Sequence, residues 1–296
     1  MNFNSERMEK TKEIEAILAC YLPEGEVRQD VILDAMRYNL LAGGKRLRPM
    51  LMQETYRMFG ASSKVIEPFM TAIEMIHTYS LVHDDLPAMD DDDYRRGRET
   101  THKVYGEDIA ILTGDALLNY AFEVSIQAFE MEPSIHERIA NALRVLAHKA
   151  GIFGMIGGQV IDVSVAGTTI TKEELNEIYK LKTGALIEAS MLIGAILAGV
   201  SREVQDTIEQ IAANVGRAFQ IQDDILDVTS TEEVLGKPIH SDEKNEKPTY
   251  VSMIGMEKAK KEVESLSKEA LLLLKNLHVN SEYVEWLIQD LIHRKK

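Results

Sequence analysis

Two clusters of aspartates are the residues of this chain best suited to chemistry. Each cluster follows an apolar helical pattern, and the carboxylates are Asp84, Asp85 and Asp90 in the first and Asp223, Asp224 and Asp227 in the second. Asp223 and Asp227 stand four residues apart, so they share one face of a helix. Two like charges this close repel each other, and a cation relieves the repulsion. Oxygen ligands without Cys or His company favour Mg²⁺, which commonly combines one or two carboxylates with substrate phosphates.

The first cluster has a spacing that a straight helix cannot keep on one face. Asp90 stands six residues after Asp84, and a regular helix would point the two side chains apart. Pro87 lies between them and disfavours continuation of the helix. The spacing therefore predicts that the chain bulges here and swings Asp90 back beside Asp84. The run Asp91–Asp93 that follows is typical of a solvated loop.

Basic residues beside glycines and other small residues form candidate anion sites. The segment LAGGKRLRP at positions 41–49 joins a glycine pair to three cations, and the glycine N–H groups can face an anion. The candidate cations are Lys45, Arg48, Arg95, Arg96, Lys182 and Lys237. Arginine forks bind phosphates directly, and carboxylates bind them through Mg²⁺. Two separate basic groups indicate two anionic substrates.

Composition and charge exclude several function classes. The chain has 296 residues and a formal net charge of −15. Nucleic acid is disfavoured as a partner because phosphate backbones need clustered Lys and Arg, and an anionic membrane surface is disfavoured for the same reason. The single cysteine, Cys20, fits a reducing, cytoplasmic setting, and its apolar neighbours predict that it packs in the interior. The most apolar run, 185–200, carries Glu188, and we expect no membrane insertion.

Helical spacing dominates the chain, and strand signals are scarce. Apolar residues recur at three- and four-residue steps between Pro68 and His83. Thr171 with Glu174, and Ser134 with Glu137, have the spacing of N-terminal capping boxes. The pattern predicts an all-α fold, a single domain over 1–296 built as a bundle of about ten or more helices. A long polar loop is expected from about Thr229 to Pro248.

These residues resemble the trans-polyprenyl diphosphate synthase family, and most closely its bacterial farnesyl diphosphate synthase group. The resemblance runs from the GGKRLRP segment to the basic C-terminal end and rests on the two Asp-rich motifs. In that group the first motif carries a two-residue insertion. This chain has the same spacing, because four residues separate Asp85 from Asp90. The resemblance implies helices around a deep central cavity, several Mg²⁺ ions bridging a diphosphate, and a homodimer. The implied reaction joins isopentenyl diphosphate head to tail to an allylic diphosphate.

The resemblance also implies a role for individual residues. The six aspartates would bind Mg²⁺ at the allylic diphosphate. Residues implied to contact that diphosphate are Arg95, Lys182 and Lys237. Residues implied to form the isopentenyl diphosphate site are Lys45, Arg48, His77 and Arg96. Thr183 and Gln220 would lie beside the developing carbocation, with Lys182, Thr183 and Gln220 as the catalytic set. Lys247 would belong to a closing segment, and Arg294 to a basic tail.

Product length and closure depend on a few further positions. In the family an aromatic residue at the position of Tyr79 marks a C15, farnesyl product, although Ser80 lies nearer beneath Asp84 on an ideal wheel. His240 stands where the family usually has glycine, and Pro248 where a small hydroxyl residue is usual. We expect both departures to affect closure and not the chemistry.

Other functions remain open from the sequence. A geranylgeranyl diphosphate synthase would use the same chemistry to make a C20 product. A class I terpene cyclase would need a hydroxyl residue at Asp227 and a Glu at Thr231. A di-iron carboxylate bundle would need two Glu-x-x-His motifs, and Glu74 with His77 has this spacing on a predicted helix. A purely structural helical subunit would have no use for two Asp motifs.

Overall fold

The structure, a computed structural model, describes residues 3–25, 28–229 and 248–294. Helices dominate these residues, so the all-α prediction is confirmed. The α-helices are α1 (Phe3–Cys20), α2 (Asp30–Leu40), α3 (Leu47–Met58), α4 (Glu67–Asp84), α5 (Thr101–Tyr105), α6 (Glu107–Ile126), α7 (Ala128–Met131), α8 (His136–Ala150), α9 (Met155–Ser164), α10 (Lys172–Ile178), α11 (Ala185–Ala198), α12 (Arg202–Thr229), α13 (Tyr250–Ile254), α14 (Met256–Asn276) and α15 (Glu282–His293). Most of the predicted polar loop, 230–247, lies outside the described residues.

Three short elements interrupt this helical order. One-turn 3₁₀ helices cover Lys64–Ile66 and Pro133–Ile135. A π-helical turn covers Tyr179–Gly184 and joins α10 to α11 without a break. In the described residues the only strands are β1 (Tyr94–Arg95) and β2 (Arg98–Glu99), which pair antiparallel with Arg95 opposite Arg98.

The chain divides into two compact units. Unit 1 comprises Met1–Gln53 and Ser63–Ile139, and unit 2 comprises Glu54–Ser62 and Ala140–Lys296. The expectation of one domain over 1–296 stays a prediction.

Unit 1 is organised around α4, which packs along α6 and also contacts α1 and α2. Most residues of α4 are buried, as expected of a helix that is apolar on most sides. A buried arginine joins this core to the glycine-pair segment. Arg46 donates from Nη1 to Glu74 Oε1 at 2.8 Å and from Nη2 to the Leu40 carbonyl at 2.8 Å. The buried charge is therefore both paired and hydrogen-bonded, as burial requires.

Unit 2 is organised around α11 and α12. Every residue of α11 from Ala185 to Leu197 is buried, and α12 packs against α11, α14 and the π-helical turn. The one acidic residue of α11, Glu188, is buried and accepts a hydrogen bond from Lys149 of α8. Lys149 also donates to Glu209 of α12 at 2.9 Å. This ion network ties three helices together and compensates the buried carboxylate.

Of three local predictions from the sequence, one is confirmed and two are wrong. The capping box of Thr171 and Glu174 is confirmed, since Thr171 Oγ1 accepts from the Glu174 N–H and Glu174 accepts from the Thr171 N–H. The second predicted box is wrong. Ser134 lies inside the 3₁₀ helix that precedes α8, and its hydroxyl donates to Glu132. Cys20 is exposed, so the prediction that it packs in the interior is also wrong.

Two stretches are long and apolar enough to cross a membrane by length and composition alone. The stretch Lys172–Ala198 is 78% buried within the fold, as a core helix would be, whereas Glu107–Met131 is 39% buried. The exposed side of the second stretch carries Ile111, Leu112 and Ile126.

Candidate active site

The first acidic cluster lies where α4 ends. The Asp90 N–H donates to the Asp84 carbonyl at 2.8 Å, and the Met89 N–H donates to the Leu86 carbonyl at 2.8 Å. The chain therefore turns back on itself after Pro87 and brings the backbone of Asp90 beside that of Asp84. The predicted bulge is confirmed, and both aspartates are half-buried at this end of unit 1.

The hairpin β1–β2 follows the bulge and presents two arginines. Its turn residues Arg96 and Gly97 have φ values of 55° and 75°, and two positive values are what a tight type I′ hairpin requires. Arg95 donates from Nε to the buried Asp85 at 2.5 Å and from Nη2 to Asp92 at 3.1 Å. Burial raises the pKa of Asp85, and the bond from Arg95 partly offsets that rise. Asp85 and Arg95 are thus partners of each other in this structure.

The glycine-pair segment is held against the same hairpin. Arg96 donates from Nη1 to the Gly43 carbonyl at 2.6 Å. A Cβ added to Gly44 would stand 3.0 Å from the Arg96 guanidinium carbon, and Gly44 has a φ of 133°, so a side chain is disfavoured here twice over. The glycines therefore allow the arginine to lie flat on the backbone.

His77 of α4 lies in the positive field of four arginines of unit 1. Burial lowers its pKa well below the usual value, and the guanidinium groups of Arg48, Arg96, Arg95 and Arg46 lower it further. The ring is therefore neutral at physiological pH and is surrounded by cations. In a chain with a net charge of −15, this convergence of arginines marks a candidate anion site.

The two candidate chain-length residues differ in their surroundings. Tyr79 is buried, and its ring meets the ring of His83 edge-on with centroids 5.9 Å apart. Burial and then the Asp84 carboxylate raise the pKa of Tyr79 to about 12, so the phenol stays neutral. Ser80 is half-buried, and its hydroxyl donates to the His77 carbonyl one turn back at 2.9 Å. Tyr79 is thus the bulkier and more buried of the two.

In unit 2, the π-helical turn carries Lys182 and Thr183. A π-helical turn holds about one more residue per turn than an α-helix does, and such turns are frequent at functional sites. A Cβ on Gly158 of α9 would lie 2.2 Å from the Lys182 backbone nitrogen, so only glycine permits the observed approach of α9. One turn later on α9, Asp162 accepts from Lys182 Nζ at 2.6 Å.

Thr183 and Gln220 meet in the same part of unit 2. Thr183 Oγ1 donates to Gln220 Oε1 at 2.7 Å. Together with Lys182 they line a cavity of about 100 Å³ whose other walls include Asp162 and Pro248. The structure thus brings together the three residues proposed from the sequence as catalytic.

The second acidic cluster lies on the last turns of α12, and its members have different partners. Asp223 accepts from Arg294 Nη2 at 2.5 Å, and the Arg294 guanidinium lies 3.8 Å above the ring of Phe219. Asp224 is buried and accepts from the Tyr179 hydroxyl and the Tyr250 N–H. Asp227 is also buried.

The donor chemistry of the clusters fits Mg²⁺ that completes its coordination with substrate oxygens. Within 3–25, 28–229 and 248–294, no three His, Cys, Asp or Glu side chains form a group that could hold a metal ion by themselves. Each cluster nevertheless supplies carboxylates at a helix end, and Mg²⁺ commonly takes one or two carboxylates plus phosphates. The residues suited to hold it are Asp84 and Asp90 in unit 1 and Asp223 and Asp227 in unit 2.

Some candidate residues lie outside the described part of the chain, and others were not predicted from the sequence. Lys237, His240 and Lys247 lie outside the described residues. Sequence reasoning missed Asp162, the partner of Lys182, because an isolated aspartate carries no signal. It also missed Arg46, the middle cation of its segment, which is buried against Glu74.

The di-iron alternative meets an obstacle in unit 1. Glu74 is buried and bound to Arg46, which would have to leave before Glu74 could bind iron. A second Glu-x-x-His spacing occurs at Glu99 and His102, but Glu99 ends β2 and His102 lies in α5, so the two side chains do not share one helix as the di-iron motif requires. The buried ion pair with Arg46 accounts for Glu74 without a bound metal.

Comparisons with known proteins agree with the geometry. The family described as "Polyprenyl synthetase" matches residues 29–288. A geranylgeranyl diphosphate synthase of Cyanophora paradoxa is 46% identical over 263 residues, or 88% of this chain and 86% of that protein. A farnesyl diphosphate synthase of Geobacillus stearothermophilus is 41% identical over 285 residues, or 95% and 94%.

A solved structure is also similar. The geranyltransferase from Helicobacter pylori, complexed with magnesium and isoprenyl diphosphate, has a TM-score of 0.85 and 31% identity to this chain. The match covers 99% of this chain and 97% of that one. The chain belongs to the polyprenyl synthetase family.

Proposed function

We propose that this protein is a Mg²⁺-dependent prenyltransferase that condenses isopentenyl diphosphate head to tail with dimethylallyl and geranyl diphosphate to give farnesyl diphosphate. The observation that carries the proposal is the meeting of Lys182, Thr183 and Gln220 at one cavity in unit 2. Membership of the family and the 41% identical farnesyl diphosphate synthase support it.

Each unit contributes residues of a different kind. In unit 1 we assign Lys45, Arg48, His77 and Arg96 to an isopentenyl diphosphate site, supported by the positive field around His77. Because His77 is neutral, it would act as a hydrogen-bonding group and not as a charge. In unit 2 we assign Lys182 to the allylic diphosphate. Its ion pair with Asp162 holds the ammonium group in place beside the cavity.

Mg²⁺ would be held by Asp84 and Asp90 in unit 1 and by Asp223 and Asp227 in unit 2, and it would supply charge neutralisation for the leaving diphosphate. The reaction breaks the allylic C1–O bond and forms a bond between C1 and C4 of isopentenyl diphosphate. A proton then leaves C2 of the isopentenyl unit and is taken up by the released diphosphate. Atoms and charge balance without a protein base.

The chain's own residues would stabilise the positive charge that develops on the allylic carbon. The oxygens of Thr183 and Gln220 carry partial negative charge and are fixed by their mutual hydrogen bond at 2.7 Å. Fixed dipoles of this kind need no reorganisation during the reaction, which is the source of their effect. The apolar residues of the cavity wall, Leu175 and Ile178, would help to exclude water.

A condensation assay tests the reaction class. Purified protein is incubated with labelled isopentenyl diphosphate and dimethylallyl diphosphate, with Mg²⁺ or with EDTA. We expect label in allylic products of ten carbons or more only when Mg²⁺ is present. Asp90→Asn should lower the turnover strongly. Condensation that is unaffected by EDTA would contradict the assignment of the aspartates.

A C20 product is the second candidate. The 46% identity to a geranylgeranyl diphosphate synthase favours it, because both products require the same chemistry and differ in the depth of the pocket. The buried ring of Tyr79 favours the shorter product.

We further propose a cytoplasmic homodimer. The exposed apolar side chains Ile111 and Leu112 form a patch on α6 that supports self-association, since exposed apolar patches commonly mark an interface. The single cysteine fits a reducing compartment.

A further inference from the structure

Asp224, the middle aspartate of the second cluster, is one of the most buried carboxylates in unit 2, with 2% of its surface exposed. One of its oxygens, Oδ2, accepts two hydrogen bonds. The Tyr179 hydroxyl lies at 2.5 Å and the Tyr250 backbone nitrogen at 2.7 Å. Its neighbour Asp223 has a different partner, Arg294. The two adjacent aspartates therefore serve different structural elements.

The two donors belong to elements that carry or adjoin the site. Tyr179 is the first residue of the π-helical turn on which Lys182 and Thr183 lie. Tyr250 is the first residue of α13, directly after Thr249, whose hydroxyl caps that helix. Because α12 supplies Asp224 itself, a single carboxylate oxygen joins three elements of unit 2.

The junction lies at the wall of the candidate cavity, which Asp224 and Tyr179 help to line, and further contacts order it. The rings of Tyr179 and Tyr250 lie with centroids 6.2 Å apart, and Tyr250 is fully buried. The Tyr250 hydroxyl accepts from Arg217 at 3.0 Å, and Arg217 also donates to Glu262 of α14 at 2.7 Å. Side chains that are hydrogen-bonded to one another in this way restrict each other to one arrangement.

We propose that Asp224 is a positioning residue and not the Mg²⁺ ligand expected from the motif. It fixes the π-helical turn and the start of α13 relative to Asp223 and Asp227. A metal ion at Oδ2 would have to displace two donors from a buried oxygen. The consequence for the reaction is indirect. Asp224 acts through the placement of Lys182 and Thr183 and through the anchoring of the chain at Thr249 and Tyr250.

Asparagine is the informative substitution. Asp224→Asn retains one carbonyl oxygen that can accept from both Tyr179 and Tyr250, whereas Asp224→Ala removes the acceptor. A positioning role therefore predicts rescue by Asn relative to Ala. A metal-ligand role predicts that both variants weaken the use of Mg²⁺, since the amide is a poorer ligand than a carboxylate.

The first test uses protein free of Mg²⁺ and substrate, so its outcome is independent of the proposed function. Hydrogen exchange is measured for the backbone amides of Tyr250–Ile254. We expect Tyr179→Phe and Asp224→Ala to speed this exchange by about tenfold, and Asp224→Asn to leave it within about threefold. Tyr56→Phe, at another buried tyrosine of unit 2, is the matched control and should not affect these amides.

The second test measures kcat, and the Mg²⁺ concentration for half-maximal rate, in the same variants, and rests on the proposed function. Tyr179→Phe should lower kcat by roughly tenfold, within the range typical of groups that orient a site, without moving the Mg²⁺ midpoint. If Asp224→Ala does not fold, the comparison of Tyr179→Phe with its control Tyr56→Phe decides whether Asp224 has a positioning role. The proposal is overturned if exchange is unchanged in Tyr179→Phe, or if Asp224→Asn moves the Mg²⁺ midpoint about tenfold with normal exchange.

Discussion

Thr183 and Gln220 form the smallest unit of the proposed chemistry, one hydroxyl donating to one amide oxygen at 2.7 Å. Neither residue titrates near neutral pH, so both keep the same charge distribution whether or not substrate is present. The contribution that we propose for them is to hold partial negative charge where positive charge develops. This is electrostatic stabilisation that arises from position alone.

Removing the Thr183 hydroxyl should therefore lower the rate of the chemical step. We expect Thr183→Val to reduce kcat roughly tenfold, about 1.4 kcal/mol, with a smaller change in KM because the interaction strengthens as the carbocation forms. Thr183→Ser keeps the hydroxyl and is the matched control. Steady-state kinetics on both variants check this, and equal losses in Val and Ser would contradict it.

The role that we propose for Tyr79, a limit on product length, follows from its size and burial. Its ring occupies buried space one and a half turns before Asp84, and its hydroxyl has no hydrogen-bond partner in the part of the chain that is described. The space is thus filled by bulk and not by a polar interaction.

Replacing that bulk should lengthen the product. We expect Tyr79→Ala to shift the main product from C15 to C20 or longer, because removal of the ring opens space for another five-carbon unit. The Ser80→Ala variant should keep the wild-type product. Product analysis by chromatography separates these outcomes, and an unchanged product from Tyr79→Ala would assign the limit to another residue.

At the scale of elements, local spacing could predict the bulge but not the hairpin or the π-helical turn. Pro87 and the six-residue step from Asp84 to Asp90 are visible in the sequence and force a break in α4. The hairpin β1–β2 has only two residues in each strand, too few for an alternating pattern. The π-helical turn depends on tertiary contact, since α9 approaches Lys182 through Gly158.

The capping box at α10 gives a prediction of pH dependence. The bonds from the Thr171 N–H and then its hydroxyl lower the pKa of Glu174 below its usual 4.5. A carboxylate whose folded pKa is lowered stabilises the fold above its unfolded pKa, and that stabilisation is lost as the pH falls through the folded pKa. We expect Glu174→Gln to lower the Tm at pH 7 and to match wild type in acid.

Thermal melts of the two proteins across this range check the prediction. Thr171→Ala removes the other half of the box and should cost about 1 kcal/mol at neutral pH. A Tm difference between Glu174→Gln and wild type that persists unchanged into acid would show that the side chain acts by some means other than its charge.

At the scale of the molecule, composition correctly indicated helices but could not indicate where the few cations meet. The net charge of −15 hides a local positive field at His77, where burial lowers the pKa and four arginines from separated positions lower it further. Such convergence is a property of the fold. The division into two compact units is likewise invisible in a chain without a linker of distinct composition.

Self-association is a prediction about the whole molecule. Leu112 is 52% exposed on α6, and Leu272 is 61% exposed on α14. We expect sedimentation in buffer without detergent to give a dimer, Leu112→Asp to weaken it, and Leu272→Asp to leave it unchanged. Leu112 stands beside a second exposed apolar residue, Ile111, whereas the exposed neighbours of Leu272 on α14 are charged or polar. A monomeric wild-type protein would contradict the homodimer, and a protein that requires detergent would assign the patch to a lipid surface.

The central claim, a synthase that stops at fifteen carbons, is tested most directly by the chain length of the product. Wild-type protein is given dimethylallyl diphosphate, excess isopentenyl diphosphate and Mg²⁺, and the products are dephosphorylated and separated. We expect farnesol as the main alcohol. A main product of twenty carbons or more would contradict the role of Tyr79, and the absence of any condensation would contradict the proposed function itself.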